Sequence, residues 1–178
     1  MKYKTILADP PWTFRHRSTR GAVSYPTLSV QQLTDMGPQI RNLAATNAHL
    51  YLWTTHVHLP DALEAIGAWG FRYIQPLFWF KVKMGLGFYY RNFIEILLFA
   101  VRGRLRLSRR DLPNYIVESR TKHSRKPLAA YRMIELGSPA PRIELFARER
   151  REGWSAWGND VESDVVLSVP DSQKEILA

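Results

Sequence analysis

Short apolar runs alternate along this chain with segments of helical period, and few folds accept that alternation. Residues 4–8, 48–54, 71–82, 93–103, 115–119 and 142–147 read as strands, being rich in branched and aromatic side chains. Leu50, Tyr51, Leu52 and Trp53 show no polar alternation, as expected of a strand covered on both faces. Ser29 can cap a helix through Val30, Leu33, Met36 and Ile40, which Pro38 kinks or restarts. Leu59, Ala62, Leu63, Ile66 and Trp69 recur at helical spacing between Pro60 and Gly70, and residues 127–137 give a further helix ended by Gly137. With 142–147 as the last strand, the order predicts one α/β domain over residues 1–178, a doubly wound sheet whose ligands bind beyond the carboxyl ends of its strands. Residues 162–178 form an acidic, weakly patterned tail expected to fray.

The first strand ends in Asp9-Pro10-Pro11-Trp12, where it cannot continue, because neither proline donates a ladder hydrogen bond. Two missing N–H groups leave the carbonyls of Asp9 and Pro10 in a donor-poor corner. An exocyclic amine such as adenine N6 brings two donors, one for the Asp9 carboxylate and one for the Pro10 carbonyl. Held so, its lone pair turns toward an electrophile, and Trp12 is expected to stack on the base.

Lys and Arg number 25 against 16 Asp and Glu, a net charge of +9 that points to a polyanionic partner, nucleic acid first. Basic stretches at 15–20, 102–110 and 120–126 are candidates for holding its phosphates. The absence of cysteine excludes a disulfide and a thiolate nucleophile and suits a reducing, intracellular setting. No apolar run approaches the roughly 20 residues that span a bilayer. His56 and His58 with Asp61 fall at a strand-to-helix junction without a second ligand set, so no metal is expected.

In order along most of the chain, ADPPW, YPTLS, LYLWTT, HSRKP and RIELFARERREGWSAWGND resemble the METTL-type (MT-A-like) N6-adenine methyltransferases, as a bacterial or phage member. The resemblance implies a Rossmann-like S-adenosylmethionine-dependent methyltransferase sheet, permuted so that the catalytic motif comes first. It implies that Asp9, Pro10, Pro11 and Trp12 hold the target amine, with Asp9 also close to the cofactor. Tyr25 corresponds to an aromatic gate over the target pocket, and Lys126 to a gate-loop lysine that contacts cofactor or target nucleotide, flanked by His123 and Arg125. The resemblance makes Glu95 the acid expected to approach the target nucleoside, and the basic loop puts Arg15 and Arg17 on the substrate side as further expectations. The resemblance further implies that Phe146 and Arg148 bracket the cofactor and that Asn159 bonds its ribose hydroxyls. Ala147 departs from the family, standing where relatives often carry a glycine for close backbone approach.

The resulting expectation is an N6-adenine methyltransferase using S-adenosylmethionine on an unpaired or flipped adenine, DNA before RNA, as a homodimer or with a partner subunit. The alternatives are a catalytically inactive nucleic-acid-binding partner and a methyltransferase for a small amine, for which the positive charge has no use.

Overall fold

The computed structural model describes residues 1–13, 26–85, 89–119 and 126–170. Seven strands form one sheet in the order β5-β3-β4-β2-β1-β6-β7. β1 (Tyr3–Ala8) lies between β2 (Ala44–Thr54) and β6 (Arg142–Leu145), parallel to both. Ile6, Leu7 and Ala8 are fully buried, which explains a first strand without polar alternation. β3 (Arg72–Gly85) runs antiparallel to β4 (Asn92–Arg102) and parallel to β5 (Tyr115–Val117), so β4 alone opposes the common strand direction.

α1 (Val30–Asp35), α2 (Gly37–Leu43) and α3 (Leu59–Ala68) cover the face carrying Ile6, Ala8, Leu50, Leu52, Leu98 and Ala100. α4 (Leu128–Gly137) covers the face carrying Leu7, Tyr51, Trp53, Trp79 and Leu97. Ser29 closes a reciprocal capping box with Gln32, and Pro38 sits in the first turn of a new helix, as its missing N–H allows. Trp69 donates its indole N–H to the Leu33 carbonyl, tying α3 to α1.

Two expectations need correction. RIELFA does not hold the last strand: β7 (Trp154–Trp157) follows and pairs parallel with β6. A four-residue strand with two small members carries too little β pattern to stand out. The acidic tail does not fray over 162–170. Gln32 donates to the Pro170 carbonyl at 3.0 Å, and Gln39 exchanges two bonds with Ser168 at 2.8 and 2.9 Å. Asp164 accepts from the Ala156 N–H and from Arg150, so the chain returns across α1 and α2 as a strap. Among the described residues no helix is long and apolar enough to cross a membrane.

Candidate active site

The carboxyl ends of β1, β2 and β6 meet at Asp9, the residue after β1, whose N–H donates to the Leu145 carbonyl. The corner beyond it is tight. Trp12 N–H donates to the Pro10 carbonyl at 2.9 Å and Leu28 N–H to the Pro11 carbonyl at 2.8 Å. Pro10 therefore offers one remaining lone pair rather than an unused acceptor.

Trp12 is not the open stacking platform that sequence suggests. It is 8% exposed, donates its indole N–H to the Trp53 carbonyl at 3.0 Å, and stacks on His58 with ring centroids 5.5 Å apart. A buried indole needs a partner for its N–H, and the end of β2 supplies it. The side chain thus fixes the corner against the sheet. His58 also bonds Asp61 at 3.2 Å, so it and Asp61 serve the junction itself.

On the α4 face, charges alternate in a row. Lys126 Nζ lies 2.9 Å from Asp9 Oδ1 and 3.1 Å from Glu95 Oε2, and Glu95 Oε1 pairs with Lys81. The two ammonium groups lie over tryptophans, Lys126 5.2 Å from the Trp53 ring centroid and Lys81 5.4 Å from that of Trp79. Burial draws Lys126 toward neutrality, yet Asp9 and Glu95 outweigh it and raise its pKa above the ordinary lysine value. Burial likewise pushes Glu95 up, and Lys126 and Lys81 overcome it to leave the carboxyl below its usual range. Four charges that cancel can share a half-buried site where one alone could not.

Sequence reasoning missed Lys81 and Glu118. Lys81 continues the inward phase of Leu77 and Trp79 on β3, and a lone lysine in that phase, on the strand paired with the one carrying Glu95, was the available signal. Glu118 accepts from the N–H groups of Leu128 and Ala129, both at 3.1 Å, capping the helix that carries Lys126 to Asp9.

On the other side of Asp9 a cavity of ≈ 550 Å³ opens, lined in part by Phe146, Ala147, Arg148, Trp157, Asn159 and Pro170. The structure brings four of the five expected cofactor residues, Asp9, Phe146, Arg148 and Asn159, onto this wall, and Lys126 reaches it only through Asp9. Phe146 has φ 62° and meets Trp157 edge-on at 5.2 Å. The close backbone approach expected at Ala147 exists, but the glycine that permits it is Gly158. Ala147 N–H donates to the Trp157 carbonyl at 2.9 Å, and a Cβ on Gly158 would overlap the Ala147 backbone, coming within 2.7 Å of its nitrogen. Leu28, Gln32 and Val169 complete part of the wall, the last from the strap.

An amino-acid sulfonium nucleoside fits this donor set. The cavity lies within the usual volume of small-molecule sites. It offers an amide for vicinal hydroxyls at Asn159, an aromatic pair at Phe146 and Trp157, and a carboxylate at Asp9 for a cationic group.

Arg15, Arg17, Tyr25 and His123 lie outside the described residues. The basic stretch at 102–110 does not flank the site. It follows β4 at Arg102, opposite Ala48, whereas Asp9 stands level with the other end of β2. The antiparallel direction of β4 carries it to the opposite end of the strands.

The sequence model of the MT-A70 family matches residues 3–160. The type II methyltransferase M.MunI of Mycoplasma sp is 28% identical, over 98% of this chain and 81% of its own length. The human N(6)-adenosine-methyltransferase catalytic subunit METTL3 is 27% identical over 96% of this chain, and the human N(6)-adenine-specific methyltransferase METTL4 27% over 89%. The chain spans only 30% and 37% of the length of these two human proteins.

Proposed function

The chain belongs to the MT-A70 family, and on that premise we propose that it transfers the methyl group of S-adenosylmethionine to adenine N6 in nucleic acid. One observation carries this reading: Asp9 is shared between the ≈ 550 Å³ cavity and the row formed by Lys126, Glu95 and Lys81. A carboxylate at such a boundary can hold an amine against a methyl donor.

Phe146, Arg148, Asn159 and Asp9 are the residues that would hold S-adenosylmethionine, which supplies an electrophilic methyl group. The Asp9 carboxylate and the free lone pair of the Pro10 carbonyl each accept one N–H of the target amine, leaving its lone pair unshared. The proton given up by the alkylated amine passes to Asp9 or to water. Lys126, kept charged by its two carboxylates, cannot act as that base; it holds Asp9 and Glu95 in place. Trp12 braces the corner from beneath. Tyr89 and Tyr90, 97% and 89% exposed beyond β3 at the catalytic end of the sheet, offer stacking faces to neighbouring bases.

DNA is placed before RNA because the chain covers 81% of the type II methyltransferase M.MunI but 30% of the human protein named for adenosine. The target base is unpaired or flipped, since its amine is otherwise engaged in pairing. The outer face of β5, β3 and β4 leaves Val117, Phe80 and Ile94 exposed side by side, which supports assembly with a second copy of the chain.

Methyl incorporation from labelled S-adenosylmethionine into matched DNA and RNA oligomers with and without adenine tests the reaction. Adenine-dependent label is expected. Heat on mixing with nucleic acid, with none for S-adenosylmethionine, would instead favour the inactive binding partner.

A further inference from the structure

The arginines at 102–110 are held by a built scaffold remote from Asp9. Gly103 turns the chain at φ 68°, and a Cβ there would collide with the Asn47 amide oxygen, which accepts the Arg104 N–H at 2.7 Å. His49, buried in β2, donates from Nε2 to the Leu105 carbonyl at 3.2 Å. Its other ring nitrogen, 2.7 Å from the Ser138 hydroxyl, accepts, and Tyr51 bonds the same serine at 2.8 Å. Burial keeps His49 below its ordinary pKa and so neutral, as an acceptor at that nitrogen requires. Leu107 packs where Gly137 has no side chain, and Ser108 N–H donates to the Gly137 carbonyl at 2.9 Å.

With leucines 105 and 107 turned to the body, Arg104, Arg106, Arg109 and Arg110 stand exposed. Arg109 pairs with Asp111, whereas the side chains of Arg104, Arg106 and Arg110 make no hydrogen bond or ion pair with a described residue. Arg104 and Arg106 flank Leu105, and Arg110 follows beyond the bend at Ser108, so the three cations crowd one short stretch of chain. Like charges crowded without a partner repel one another, and an anion placed among them relieves that repulsion.

We propose that this arginine comb is a second nucleic-acid contact, gripping the phosphate backbone of the substrate at a distance from the target base. It rests on the reading that the substrate is nucleic acid. α4 joins the two regions on one face of the sheet, from Lys126 beside Asp9 to Gly137 beside Leu107, with Arg132 exposed between them. At 1.5 Å per residue that helix spans about 15 Å, so a duplex must extend roughly five base pairs beyond the target to reach the comb. Short oligomers therefore engage the catalytic end alone.

The test compares wild-type protein with the triple variant Arg104→Gln, Arg106→Gln, Arg110→Gln on fluorescent oligomers of about 5 and about 30 nucleotides per strand, across a salt series. The comb predicts that the variant loses at least about tenfold in affinity for the long duplex, and that its slope of log affinity against log salt flattens by about 2–3. Binding of the short oligomer and of S-adenosylmethionine, the latter read by calorimetry, stays unchanged and certifies the fold. Equal affinity and slope for wild type and variant on the long duplex would overturn the proposal, as would comb-dependent binding confined to anionic vesicles. A wild type that binds S-adenosylmethionine but no nucleic acid of either length would overturn the reading beneath it instead.

Discussion

Lys126 Nζ lies 2.9 Å from Asp9 Oδ1, so the carboxylate that is to hold an amine already holds an ammonium. Replacing Asp9 by Asn keeps the shape and removes the charge. Methylation is expected to fall by at least about 10²-fold while the protein stays folded. Single-turnover label transfer beside circular dichroism checks both halves, and full activity in the variant would remove Asp9 from the chemistry.

Lys81 is 8% exposed and pairs with Glu95. Because the folded-state pKa of Glu95 is depressed, its contribution to stability is present above the ordinary glutamate pKa and is lost as pH falls through the lowered value. Lys81→Met removes one of the two cations responsible. The variant should lose about 1–3 kcal/mol near neutral pH and show a weaker dependence on acid, both read from urea unfolding at several pH values.

Glu144 points in the opposite direction. It lies under α4, accepts a 2.8 Å bond from the Tyr131 hydroxyl, and burial pushes its pKa up to about 7. Between the ordinary glutamate pKa and about 7 the native state keeps a proton that the unfolded chain has released, so stability falls as pH rises through that window. Glu144→Gln should flatten this fall, worth about 1–3 kcal/mol, in thermal melts from pH 5 to about 8.

Gly158, just after β7, lets the chain run directly against the Ala147 backbone beyond β6. Gly158→Ala should weaken S-adenosylmethionine binding at least about tenfold, since the added methyl group displaces Ala147 from the cavity wall. Isothermal calorimetry decides it, and an unchanged dissociation constant would separate that wall from the cofactor.

Trp12→Phe retains an aromatic face but loses the bond to the Trp53 carbonyl. The structural role predicts a loss of about 1–2 kcal/mol in stability, with nucleic-acid affinity unaltered in proportion. A selective loss of nucleic-acid affinity at full stability would restore the stacking role.

The corner after β1 was legible because Asp9-Pro10-Pro11-Trp12 interrupts a strand by a local rule, and the helices because Ser29, Pro38 and Gly137 punctuate them. What escaped depends on contacts across long separations. Gln39 gives no hint in the sequence that it meets Ser168, and the strap has no periodicity of its own. The place of the 102–110 stretch follows from the direction of β4, which the short link from β3 makes antiparallel; weighing that link length would have moved the arginines to the end of the strands away from Asp9. Trp12 was misjudged because its identity suits both a base and a core, and only the Trp53 carbonyl decides between them.

The central place of β1 also governs how the sheet comes into being during synthesis. β2, from Ala44, follows β1 after two short helices, but β6, which covers the other edge, begins only at Arg142, more than a hundred residues beyond Ala8. At about 5–20 residues per second the ribosome leaves that edge bare for roughly 7 to 27 seconds. Until Arg142–Leu145 emerges, the strand leading to Asp9 is an open template for other nascent chains, and its protection falls to whatever shields the polypeptide as it leaves the ribosome.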